Sequence, residues 1–75
     1  MAGANYEIVV KGRLGAAMTR SIGDVEVRSS GPDATYLRGW FADQAALQGV
    51  LRQLGDLGIE LSGVRRLPDP AAVGG

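Results

Sequence analysis

At 75 residues the chain has room for one hydrophobic core and no second domain. It holds neither cysteine nor histidine, which excludes disulfides, the common zinc sites, Ser-His-Asp triads and thiolate chemistry. Eight basic side chains balance eight acidic ones, so no net field draws the protein toward nucleic acid or an anionic membrane, and any such binding has to be local.

Residues 1–5 are small and polar and read as a flexible N-terminal tail. Over 6–13, Tyr6, Ile8 and Val10 alternate with Glu7 and Lys11 around an interrupting Val9, which predicts a first strand. Leu14, Ala17 and Met18 recur at i, i+3 and i+4, enough for two turns of helix over 14–21. Over 24–29, Val25 and Val27 oppose Glu26 and Arg28, and the Ser-Ser-Gly-Pro-Asp run that follows is a turn. Residues 35–41 are β-branched and aromatic and return as the hairpin partner. Asp43 is a good N-cap, and Leu47, Val50, Leu51 and Leu54 give an amphipathic helix ending near Leu57 with Gly58 just past it. A last strand occupies 59–67, and 68–75 reads as a flexible C-terminal tail.

These elements make a single α+β domain over 6–67: a small antiparallel sheet covered on one face by one main helix. If 14–21 is helical the order is the ferredoxin-like β-α-β-β-α-β, and otherwise β-β-β-α-β. A core this small is marginal, and with disulfides and zinc excluded, oligomerisation is the remaining reinforcement. No apolar run approaches the ~20 residues of a membrane span. The first residues lack the regions of a signal peptide, so a cytoplasmic protein is expected.

Alternation assigns Ile8, Val10, Val25, Val27, Leu37, Phe41, Ile59 and Leu61 to the covered face. The open face then carries Val9, Lys11, Arg13, Glu26, Arg28, Tyr36, Arg38, Trp40 and Arg66, aromatic and basic with little acid. Tyr, Trp and Arg are enriched at interface centres, so the first reading is a homodimer that buries this face or pairs along an edge. A small ligand or another protein could use the same surface. A nucleic-acid platform is the third reading, because Arg38-Gly39-Trp40-Phe41 is similar to the start of the third-strand signature of RNA-recognition motifs. The small residue and aromatic that should follow are displaced and the charge is balanced, which weighs against nucleic acid.

No catalytic, cofactor or metal site is expected. Glu7, Asp24, Glu26, Asp33, Asp43, Asp56, Glu60 and Asp69 are scattered, and only Asp24 and Glu26 share a strand face, where they read as a solvated strand end. Gly12-Arg13-Leu14-Gly15 has the GxxG shape of a phosphate clamp but ends a strand, and is read as a turn; no GxGxxG or Walker sequence occurs. The terminal Gly74-Gly75 resembles the tails of ubiquitin-like sulfur carriers, but one strand after the main helix does not fit their β-grasp topology.

The segment from Asp43 to Val64, with its joint Asp56-Leu57-Gly58-Ile59, resembles a segment of small stand-alone proteins of actinobacteria and similar bacteria to which no function is assigned. The likeness extends back to residues 6–12. It implies a compact α+β fold and a bacterial cytoplasmic setting, and no activity to transfer. This chain has Ala16, Ala17 and Met18 where those proteins carry tryptophans, and Gln48 where they often have histidine. In architecture the chain is also similar to ACT-type regulatory domains, which implies dimers that bind small ligands.

Overall fold

The computed structural model describes residues 3–22 and 25–68. Six elements follow in chain order: β1 (Ala4–Lys11), α1 (Ala16–Ser21), β2 (Glu26–Ser30), β3 (Ala34–Phe41), α2 (Gln44–Asp56) and β4 (Leu61–Arg66). The strands form one antiparallel sheet in the order β2-β3-β1-β4. This is the expected α+β architecture, in its ferredoxin-like form with a short first helix. Asp24 and everything from residue 69 onward, Gly74-Gly75 included, lie outside the described residues.

β1 and β3 are the central pair, in register from Ala4↔Phe41 to Lys11↔Ala34. β1 starts before Tyr6, the expected first residue, because Ala4 and Asn5 pair with Phe41 and Trp40. It ends before Arg13 because Gly12 adopts φ 82° and donates its N–H to the Asp33 carbonyl at 2.9 Å, which turns the chain out of the sheet. Arg13 is therefore an exposed residue of the connection, not of the sheet face.

The core gathers Ile8 and Val10 from β1, Leu37 and Phe41 from β3, Leu47 and Leu54 from α2, and Ile22. The strand residues alternate, and Leu47 and Leu54 stand two turns apart on one stripe of α2, so the two periodicities meet in a single layer. Tyr6 closes one end, its ring edge-on to Phe41 with centroids 6.0 Å apart. The Asp43 carboxylate accepts the Ala46 N–H at 2.8 Å and caps α2. At the other end Gly58, at φ 76°, donates to the Gly55 carbonyl at 3.0 Å and releases the chain toward β4.

α1 is held differently from its predicted stripe. Ala17 and Met18 are exposed, Leu14 precedes the helix, and the residue that anchors it is Ile22, only 1% exposed, just beyond its last turn. A helix of six residues presents too little face to dock by itself. Gln53 of α2 ties it down by donating to the Ser21 carbonyl, while Ser21 Oγ donates to the Met18 carbonyl within α1 itself.

Both outer strands carry an irregularity that resets side-chain parity. In β2, Val27 opposes Leu37 and Ser29 opposes Tyr36, leaving Arg28 as an extra residue. In β4, Leu61 opposes Val10 and Gly63 opposes Val9, so Ser62 is extra. Val27 and Leu61, expected in the core, have covered-face partners but remain exposed on the uncovered margins of the sheet. A one-residue slip flips every later side chain. Val64 accordingly packs inward, Arg65 opposes Glu7 on the open face, and Arg66 opposes Tyr6. Unbroken alternation had put Arg66 on the open face; the bulge gives that place to Arg65.

Candidate interaction face

The surface opposite α2 is built in transverse rows, because antiparallel register aligns residues of like parity across neighbouring strands. Trp40 and Asn5 are partners, and the Leu67 N–H extends the row by donating to the Asn5 carbonyl at 2.8 Å. The next row reads Glu26, Arg38, Glu7, Arg65 across β2, β3, β1 and β4. The third reads Ser29, Tyr36, Val9, Gly63, and the last pairs Ala34 with Lys11.

The third row holds the apolar centre. Tyr36 is 40% exposed beside Val9, and Trp40, two residues along β3 on the same face, is 57% exposed. Because Gly63 lacks a side chain, a shallow depression of about 190 Å³ opens beside Val9, walled by Glu7, Val64 and Arg65. The Trp40 indole lies over Gly3, a residue the sequence had assigned to a tail. A Cβ on Gly3 would overlap the indole and stand 2.7 Å from the Phe41 carbonyl. Gly3→Ala is therefore expected to push the indole into water, with a red-shifted fluorescence maximum and a stability loss of about 1 kcal/mol. Trp40 is the only tryptophan, so the emission reports this site alone.

The charged row alternates in sign. Arg65 Nε donates to Glu7 Oε1 at 3.1 Å, and Arg28 pairs with Glu26 at 2.7 Å. Arg38 stands between those two carboxylates in register and pairs with neither. Its Nε is buried and has no hydrogen-bond partner among the described residues. Arg38 lines a groove of about 320 Å³ with Asn5, Leu67 and Pro68. Lys11, at the far end of the face, pairs with Glu60 at 2.7 Å. The Glu60 hydrogen bond, with its charge, raises the Lys11 ammonium pKa above its ordinary value. Both side chains are largely in water, where such a pair adds little.

Of the residues the sequence nominated, Val9, Lys11, Tyr36, Arg38 and Trp40 come together on one surface, with Arg28 at its β2 margin. Arg13 and Arg66 do not join them. Glu7 and Arg65 were missed. Glu7 was legible, since it has the parity of Val9, and its side chain is only 15% exposed at the middle of the row. Arg65 was hidden by the β4 bulge, which leaves no composition signal. The face is thus mixed in charge, not basic.

Comparisons with curated proteins and with solved structures return no match. The family model described as Domain of unknown function (DUF8691) matches residues 5–65, from the second residue of β1 to the fifth of β4, and so spans all six elements. The chain belongs to that family.

Proposed function

We propose that this domain is a small, non-catalytic assembly module whose open sheet face takes a second copy of the same chain. The observation that carries this reading is the exposure of Trp40 and Tyr36 around Val9 on the central strands, with no second layer over them among the described residues. Aromatic and arginine side chains at the centre of a patch are where binding energy concentrates. At about 4.8 Å spacing, two strands of about 27 Å and two of about 17–20 Å present on the order of 440 Å² of projected face, and the protruding side chains make the accessible area larger. Two such faces together reach the ~1,000 Å² at which specific interfaces begin. The small core supplies the motive, since covering the second face adds apolar burial that a single chain lacks. The resemblance to small bacterial proteins supports a bacterial cytoplasmic setting for the assembly.

One feature favours a second reading, a small ligand: the groove beside Arg38 has the volume of a modest ligand pocket. Nucleic acid is disfavoured by the carboxylates interleaved with the cations along the charged row, which cancel the field a phosphate backbone needs.

Light scattering over a dilution series tests self-association. A mass that falls from two chains toward one on dilution is expected, with Trp40→Ala shifting the midpoint to at least about tenfold higher concentration. A single-chain mass at every concentration, with the Trp40 emission of an indole in water, overturns the proposal.

A further inference from the structure

We infer that the two copies pair about a two-fold axis that runs along the strands between β1 and β3, so that Arg38 of each copy meets the partner's Glu7. The inference rests on the self-association reading and adds to it the axis, the register and the contact at the centre.

The charged row selects the axis. Across the sheet it reads Glu26, Arg38, Glu7, Arg65, an even run of alternating sign. Three kinds of axis bring this row onto the partner's same row: one along the row itself, one parallel to the strands and centred on a strand, and one parallel to the strands and centred between the inner pair. The first sets every charge over its own copy. The second sets Glu7 over Glu7 or Arg38 over Arg38. Like charges so juxtaposed oppose association strongly. Only the third sets each cation over a carboxylate along the whole row. The same operation carries Tyr36 over the partner's Val9 in the adjacent row, aromatic on aliphatic. Stacked sheets cross at about 30°, and positions next to the axis move least, so the Arg38 contact survives the twist.

Arg38 has donor capacity to spare for an outside acceptor. The two carboxylates nearest to it in register are engaged by Arg28 and Arg65, and its own Nε is buried with no partner among the described residues. A guanidinium has five N–H donors; with Nε closed off inside its own chain, a partner's carboxylate meets the four terminal N–H donors. A carboxylate accepts through two oxygens, so Glu7 can hold Arg65 within its own chain and receive Arg38 from the partner.

Charge reversal in trans decides the matter. In Glu7→Arg every central contact becomes cation on cation, and in Arg38→Glu carboxylate on carboxylate. Each purified variant, with wild-type circular dichroism, is expected to dissociate at about 100-fold or more above the wild-type concentration. An equimolar mixture of the two is expected to form a mixed dimer with near-wild-type affinity, because both central contacts are then opposite in sign. If either reversal fails to fold, Glu7→Gln and Arg38→Gln serve in its place, each weakening association by about tenfold. Reversals that leave the dimer intact, or a mixture that stays dissociated, overturn this axis; loss of the dimer in Trp40→Ala would then still support the face. A wild-type chain that is monomeric throughout instead removes self-association itself, and the axis with it.

Discussion

Thr35→Val is expected to lower stability by about 2–4 kcal/mol, an effect out of proportion to a swap of two side chains of nearly equal size. Thr35 is fully buried on β3, and its hydroxyl organises three segments. It donates to the Gly12 carbonyl at 2.7 Å and accepts the Leu14 N–H at 3.2 Å, which binds both sides of the turn after β1 to the sheet. Ser30 Oγ lies 3.3 Å away and must be the donor there, since the one hydroxyl proton of Thr35 is already committed to Gly12. Valine fills the same space and strands a carbonyl and an N–H beneath the connection. Urea unfolding should show a lower midpoint at unchanged slope, and Thr35→Ser, which keeps the hydroxyl, should lose only about 1 kcal/mol. Equal stability of the valine variant and the wild type would mean that water satisfies those backbone groups.

Leu54→Ala is expected to cost about 2–5 kcal/mol. Leu54 is one of the two buried residues of α2, and it also stands close to where the chain turns into β4, its carbonyl accepting the Ile59 N–H at 3.0 Å. A domain of this length holds on the order of 4–11 kcal/mol in all, so the variant loses a large share of its stability and should melt well below the wild type. Thermal unfolding followed by far-ultraviolet circular dichroism checks this. Exposed Gly49, in the same helix, has open space where a Cβ would stand, and Gly49→Ala at that position serves as the internal contrast, with no cavity to create.

The parts of the fold visible in the sequence are those set by local chemistry. Asp43 as a cap, the leucine stripe behind it and Gly58 beyond fix α2 to within a residue, because caps and periodicity act over a single turn. The alternation of β1 and β3 likewise identifies Ile8, Val10, Leu37 and Phe41 as core. What the sequence concealed depends on pairing between distant segments. Ala4 and Asn5 are strand only because Phe41 and Trp40 stand opposite. Ile22 is an anchor only because α1 is too short to dock by its own face. The exchange of Arg66 for Arg65 follows from one extra residue in β4, and nothing in the run from Leu61 to Arg66 marks where it falls. The interaction face was therefore legible wherever plain alternation holds, as at Tyr36, Trp40, Arg38 and the overlooked Glu7, and misread at its β4 end, where the bulge decides between Arg65 and Arg66.

The irregularities in β2 and β4 bear on how far an assembly of this protein can grow. Every unpaired hydrogen-bonding margin of the sheet belongs to one of those two strands, and each is broken within a few residues by its extra residue. A continuous ribbon of carbonyls and amides, the template on which fibrils and runaway polymers elongate, is absent from both sides of the described sheet. Concentrated solutions of the protein should therefore stay clear of thioflavin-positive aggregates, with growth stopping once the flat surface is covered.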